Sequence, residues 1–548
     1  MAHALAGKPV QEQDIIDVQT IVDAYFDNVP DMTNPTQLVS FGTSGHRGTS
    51  VDGTFTDLHV AAITQAICDG RKQFGATGPI FVGQDTHALS QPALVTVLEV
   101  LAGNGVTAMV DCDMDFVPTP SVSRAIIRYN ETHDDKADGI IITPSHNPPN
   151  NGGIKYNTII GGPADTVVTK WIEIRANEYL TAYCESEDFK RISIDNIEPT
   201  AQVPYDYKGL YVEELGDVIN MEAIKAAGPK VLVDTLGGSG ASYWNAIKER
   251  YGLDLTIIHD DYDPTFSFMT YDHDGKVRMD CSSTYVMASV INRIGDFDLA
   301  VGNDPDYDRY GIVVSSGLIS ANTFLTLAAR YLFTTRGWKN KGVGKTVVCT
   351  TMIDKWAASA EIPVFEVPVG FKYFSQLLFD GAIGIGGEES AGASFLKKDG
   401  TVWTTDKDGM IMALLSMEIM AVMGKSALKM ADESLEEFGN PSFGRIDAPC
   451  KKEQKQILKQ MSAELITATT VDGDPITNIR TTSLYNDMPI DGVRVETDKG
   501  WFVARPSGTE DLYKIYGESY KGDLGLVALL TAGEEIVNAV LNGTIETE

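Results

Sequence analysis

The segment Asp304-Pro305-Asp306-Tyr307-Asp308-Arg309 sets three carboxylates at alternate positions. Alternate residues of an extended chain face the same way, so the three side chains converge. Convergent negative charges repel strongly unless a cation sits among them. Hard oxygen ligands and open coordination positions favour magnesium. The downstream Gly and Glu of an EF-hand loop are missing, and no histidine accompanies the triad to suggest zinc. An acidic turn in an acidic protein is the bland alternative, weakened by the apolar run that leads into the segment.

A second cluster, Thr143-Pro144-Ser145-His146-Asn147-Pro148-Pro149, follows the apolar run 139–143. A serine braced by prolines at a strand end sits on a stiff, exposed loop, which suits a nucleophile that needs fixed geometry. A rigid turn with an ordinary surface serine fits these residues equally well. His146 is adjacent, and Lys155 follows in NGGIKYN. A lysine there can carry a proton only if cationic neighbours or burial lower its pKa. No G-x-S-x-G surrounds Ser145, which counts against a serine hydrolase.

Two further loops could read a phosphorylated sugar. In Gly386-Gly387-Glu388-Glu389-Ser390-Ala391-Gly392 the Glu and Ser side chains can bond vicinal hydroxyls, although a capping box at a helix start is the natural alternative. In Arg505-Pro506-Ser507-Gly508-Thr509-Glu510 an arginine, two hydroxyls and backbone N–H groups around a glycine make a phosphate nest. Two decoys are set aside. LGGSGAS (236–242) follows a strand but lacks G-x-G-x-x-G spacing, and Gly344-Lys345-Thr346 lacks the earlier glycine of a P-loop.

These clusters need strands to present them. Apolar runs at 79–85, 139–143, 230–235, 298–304 and 345–351 alternate with helix-like stretches such as 91–105. That rhythm predicts parallel sheets wrapped by helices, with ligand sites at the carboxyl ends of strands. The stretches 194–206, 315–323 and 437–452 read as linkers, and identity alone shows no internal repeat.

The length of 548 residues predicts roughly three or four domains. Lysine and arginine number 44 against 76 aspartates and glutamates, a formal charge of −32. Such a chain repels nucleic acid and anionic membranes, so an anionic substrate needs a locally basic pocket. Six singly scattered cysteines exclude C-x-x-C zinc and redox motifs and fit a reducing compartment. The start has no basic n-region, and the apolar stretch 409–424 is shorter than a membrane span and reads as a buried methionine-rich helix. A soluble, cytoplasmic protein is expected.

From FGTSGHRG (41–48) through TPSHNPP, NDPDYDR, VPVGFKYF (367–374), GGEESAG and TTDKDG (404–409) to RPSGTEDLYK (505–514), the chain resembles the α-D-phosphohexomutase family, in the family's order. The resemblance implies an α/β architecture of four domains around a central cleft, three alike and a smaller α+β fourth. The expected divisions are 1–205 with the phosphoserine loop, 206–318 with the metal loop, 319–440 with the sugar loop and 441–548 with the phosphate loop. It implies interconversion of glucose 1-phosphate and glucose 6-phosphate through phospho-Ser145 and glucose 1,6-bisphosphate, which is also the activator. Asp304, Asp306 and Asp308 would hold Mg2+ with a phosphate oxygen on Ser145. Arg47 and Arg309 would lie near the transferring phosphate, and Lys155 and His146 would be the acid/base pair. Glu388 and Ser390 would read the sugar, with Lys372 and Lys407 nearby, and Arg505, Ser507 and Thr509 would hold the idle phosphate. Mannose or pentose phosphates, or a non-catalytic sugar-phosphate-binding paralogue, are the alternatives. The partners implied are hexose phosphates, with neither nucleic acid nor membrane, and a monomer or homodimer. Two departures stand out: Pro305 and Tyr307 replace glycines that many members carry between the aspartates, and Val369 replaces a threonine.

Overall fold

The computed structural model describes residues 3–42, 45–183, 189–507 and 512–542. The first sheet contains β1 (Gly45–Thr49), β2 (Ile80–Gln84), β3 (Ala108–Asp111), β4 (Asp138–Ile142), β5 (Asn151–Asn157) and β6 (Gln202–Tyr205), in the order β1-β5-β4-β2-β3-β6. The second contains β7 (Val231–Asp234), β8 (Leu255–Ile258), β9 (Leu299–Asn303), β10 (Tyr310–Val314) and β11 (Gly317–Leu318), in the order β11-β10-β9-β7-β8. The third contains β12 (Gly342–Thr346), β13 (Val364–Val367), β14 (Ile383–Gly387) and β15 (Ala393–Phe395), in the order β13-β12-β14-β15.

These three sheets repeat one device. A buried strand, β4, β9 or β14, lies parallel to its inner neighbour, ends in a loop and returns as an antiparallel partner, β5, β10 or β15. The three loops are 143–150, 304–309 and 388–392, which are the first three chemical clusters. Each holds a non-glycine residue in the left-handed region: Ser145 at φ 59°, Tyr307 at 62° and Ala391 at 66°. The internal repeat that identity does not reveal is therefore carried by backbone geometry. The fourth sheet is wholly antiparallel: β16 (Ser442–Pro449), β17 (Thr470–Val471), β18 (Asp474–Thr482), β19 (Pro489–Thr497), β20 (Gly500–Pro506) and β21 (Leu512–Ser519), in the order β16-β21-β20-β19-β18-β17.

Several sequence expectations shift. All three stretches read as linkers supply strands, β6 from 194–206, β11 from 315–323 and β16 from 437–452, because each finds an open sheet edge to pair with. The run 345–351 is strand only to Thr346. The EESAG turn at 388–392 joins two strands and starts no helix. Residues 3–10 leave the first unit and bond to the second, with Gly7 N–H donating to Tyr271 O and Val10 N–H to Met269 O.

The second and third units share one apolar core, through which the helix Gly409–Met423 runs with Met410, Met412 and Met417 buried. The helix Gly522–Leu541 is long and apolar enough to cross a membrane by composition, yet Leu526, Leu529, Leu530 and Val537 close the core over the fourth sheet. No disulfide joins the described cysteines Cys68, Cys112, Cys281, Cys349 and Cys450; Cys184 lies outside the described residues.

Candidate active site

Ser145 sits where the first two loops meet. Its N–H donates to Thr143 Oγ1 at 2.7 Å, and its hydroxyl donates to Asp304 Oδ2 at 2.8 Å, with His146 Nδ1 3.3 Å away. The loop is stiff, as its prolines require, but it is not exposed: Ser145 is only 1% accessible. The second unit covers it, through Asp304 and through Met279, whose N–H donates to His146 O. A buried polar chain that the sequence reading missed props the loop from below. The Thr143 hydroxyl donates to Asp85 at 2.6 Å; Asp85 also meets His87 Nδ1 at 2.9 Å, and His87 Nε2 lies 3.0 Å from Asn147 O. The available signal was position, since Asp85 directly follows the carboxyl end of β2.

The three aspartates do converge: one oxygen from each lies within 4.8 Å of the others. Asp304 also accepts from Arg309 N–H at 2.9 Å. Asp306 Oδ2 accepts from Thr119 Oγ1 at 2.8 Å and from Lys155 Nζ at 2.5 Å. Asp308 Oδ2 accepts from Lys407 Nζ at 2.7 Å and from Lys155 at 3.2 Å. The other oxygens of Asp306 and Asp308 are buried with no hydrogen-bond partner among the described residues. Buried bare carboxylate oxygens are rare, and here two of the three triad residues carry one. The donor set fits a hard divalent cation.

Burial and the charges of Asp306 and Asp308 push the Asp304 carboxyl well above its ordinary range. Asp308 goes the opposite way, because Lys407, Lys155 and Arg309 outweigh its burial. Ile154 and Tyr156 point into the first unit's core, which turns Lys155 between them toward the triad. Burial alone would depress Lys155, but Asp306 and Asp308 win and hold it as a cation, so the lowered pKa that the sequence reading required is absent. His146 is pushed well below its ordinary value by burial and by Arg309 and Arg47, and is therefore neutral. Arg47, opposite Gly153 on β1, lies near enough for Asp306 and Asp308 to act on it against burial. Arg309 reaches Asp280 at 3.3 Å, and Asp280 also lies 3.9 Å from His146 Nε2. Asp280 is another missed member, carried by the irregular segment that closes over the serine loop.

Glu388 is buried, and that burial, opposed by Lys407, lifts its carboxyl to about 7. Ser390 is half-buried on the same loop. Lys407 thus joins the sugar loop to the triad, whereas Lys372 stands apart: its Nζ donates to Thr166 Oγ1 at 2.9 Å, and burial and the nearby Arg505 depress it against Asp165 and Asp491. Arg505 and Ser507 lie at the β20 end of the fourth sheet. Thr509 lies outside the described residues.

Models of the phosphoglucomutase/phosphomannomutase family match in order: alpha/beta/alpha domain I over 38–182, domain II over 210–317, domain III over 320–438 and the C-terminal domain over 447–524. The chain belongs to that family. A phosphoglucomutase of Komagataeibacter xylinus is 46% identical over 540 residues, covering 98% of this chain and 97% of that protein. Phosphoglucomutase 1 of Saccharomyces cerevisiae is 26% identical, covering 88% of each. Among solved structures, the open form of pp63/parafusin, a phosphoglucomutase from Paramecium, superposes with a TM-score of 0.72 at 20% identity, over 94% of this chain and 97% of that one. A phosphoglucomutase/phosphomannomutase family protein from Burkholderia thailandensis gives 0.68 at 20%, over 92% and 99%. The family's three alpha/beta/alpha domains and distinct C-terminal domain are the three loop-bearing sheets and the antiparallel sheet described above.

Proposed function

We infer that the chain interconverts glucose 1-phosphate and glucose 6-phosphate by phosphoryl transfer through Ser145. The observation that carries this reading is the Ser145 hydroxyl bonded at 2.8 Å to Asp304, within a buried ring of three carboxylates. Phospho-Ser145 gives its group to O6 of glucose 1-phosphate: the O6–P bond forms and the serine O–P bond breaks. The resulting glucose 1,6-bisphosphate turns in the cleft and returns the phosphoryl group from O1 to Ser145. Neutral His146 fits the base that takes the sugar hydroxyl's proton, and cationic Lys155 fits the acid that protonates the departing oxygen.

Magnesium, held by Asp304, Asp306, Asp308 and a phosphate oxygen on Ser145, would supply positive charge to the group in transfer. Arg47 and Arg309 add charge on the same side, inside a cleft that excludes water. Glu388 and Ser390 would bond the sugar hydroxyls, with Lys407 fixing Glu388. Arg505, Ser507, Thr509 and Lys372 would hold the idle phosphate, so one nest serves both ends of the sugar as it turns.

The test is a set of initial rates on glucose, mannose and ribose 1-phosphates, with intact-protein mass spectrometry. Glucose should be preferred and a phosphate should load on Ser145. Ser145→Ala should lose about three orders of magnitude in turnover or more. Near-normal turnover in that variant would end the assignment, and a preference for mannose would overturn the substrate.

A further inference from the structure

The glycine-rich turn at 236–240, set aside as a dinucleotide decoy, lies against the loop that carries the three aspartates. Ser239 donates twice to Pro305 O, from its N–H and from its hydroxyl, at 2.8 Å each. Tyr307 is completely buried, and its ring lies over the two flanking glycines. A Cβ added at Gly240 would meet the ring at 2.4 Å, and one at Gly238 would meet Pro305 Cα at 2.7 Å and the ring at 2.9 Å. Neither approach leaves room for a side chain.

Tyr307 is held on its other sides too. Its N–H donates to Asp304 O, and its carbonyl accepts from Gly409 N–H of the third unit. It keeps a left-handed φ of 62°, a strained conformation for a non-glycine residue unless its surroundings enforce it. Pro305 fixes a second φ in the same loop. Where glycines at 305 and 307 would leave the backbone free, this chain has two restricted residues and a cavity shaped to receive them.

We propose that Gly238, Ser239 and Gly240 form a socket for Pro305 and Tyr307 that fixes Asp304, Asp306 and Asp308 for a divalent cation. They are positioning residues, acting through the loop. This rests on the reading that the triad holds such a cation, and it goes beyond it by naming what sets the triad's geometry. The bulky residues of the metal loop, one of the two departures from the family, and the glycine turn set aside as a decoy are two halves of one fit.

The test titrates the full-length chain with Mn2+ alone, counting free ion by electron paramagnetic resonance. Gly240→Ala should weaken binding about ten-fold or more, as losses around a metal site commonly do. Tyr307→Ala should also weaken it, and Gly240→Ala combined with Tyr307→Ala should bind no worse than Tyr307→Ala alone, because the added methyl then has nothing to strike. A folded Gly240→Ala chain that binds Mn2+ like the wild type would overturn the socket, as would losses that simply add. If Gly240→Ala does not fold, Tyr307→Ala decides: unchanged Mn2+ affinity there refutes the proposal. Asp306→Asn is the separate control. A wild type that binds no better than Asp306→Asn overturns the metal reading itself, and the socket with it.

Discussion

Two imidazoles, His46 and His59, stack in the first unit with ring centroids 5.4 Å apart. His59 Nε2 lies 2.8 Å from Gln37 O, and Nδ1 accepts from Thr56 N–H at 3.2 Å, so both nitrogens are committed and the ring is neutral. Burial and the neighbouring His46 push His59 down to about 3, and burial lowers His46 as well. The unfolded chain binds those protons near pH 6.5 and the folded chain does not, so stability is complete above 6.5 and falls as the pH drops below it. For His59 the expected loss approaches about 1.4 kcal/mol per pH unit below that point, and His46 adds in the same direction. Melting curves from pH 7.5 to 5 check this: the wild type should lose melting temperature steadily, and His59→Gln should flatten the slope. An unchanged slope would mean that other groups set acid stability. Thr119 gives a second prediction at this scale. Its hydroxyl and N–H fasten Asp306, through the side chain and the carbonyl respectively. Thr119→Val removes only the first bond, and turnover should fall about ten-fold with the melting temperature held; equal turnover would make the bond incidental.

The loops that end β4, β9 and β14 share a left-handed residue, and at Ala391 that residue has no chemical duty. Ala391→Gly relieves strain of about 1–2 kcal/mol and gives back about 0.5–1 kcal/mol of backbone freedom. A small rise in melting temperature is expected, and a drop would show that the methyl, buried in the core, is worth more than the strain. At this scale the sequence was legible where apolar side chains run together, as at β4 and β9, and where chemistry concentrates at strand ends. It misled at β12, GVGKT, whose glycines carry no β signal. Gly344 is there because Phe374 lies over it, where a Cβ would come within 2.9 Å, and that partner is 30 residues away. Asp85, His87, Thr119 and Asp280 went unread for the same reason: each earns its place through a partner distant in the chain. Lys155 was found by the resemblance, but its charge state follows from two aspartates more than 150 residues on.

In the whole molecule, the stretch 404–409 acts as a junction. Asp406 accepts from Asn157 of the first unit at 2.9 Å, Lys407 pairs with Asp308 of the second, and Asp408 accepts from Tyr211 at 2.8 Å while capping the central helix. Asn157→Ala should therefore lower kcat by more than it lowers melting temperature, because it cuts one of the bonds between units, beside those of Thr405 to Ser123 and Ile160, without opening an apolar core. Steady-state rates set beside melting curves would test this, and a large thermal loss with unchanged kcat would refute it. The net charge of −32 adds an effect at longer range. It repels a sugar phosphate until ions screen it, and raising ionic strength from about 0.01 to 0.15 M shortens that reach from about 30 to 8 Å. Catalytic efficiency, kcat/KM, should rise with salt over that range; a fall would show that the lysines and arginines of the cleft govern approach.

Asp304 covers a serine made 159 residues earlier. At about 5–20 residues per second, a ribosome takes on the order of 10–30 s to supply that cover. Through that interval any hold on Ser145's left-handed turn comes from early residues, through the Asp85–Thr143 link and the bond from Ser145 N–H to Thr143. A ribosome-arrested chain ending after Tyr205 should accordingly hold the turn with its hydroxyl uncovered, open to any phosphate donor in the cell. Slow hydrogen exchange at the Ser145 amide would mark the formed turn, and rapid exchange there would show that the serine waits for its later neighbours.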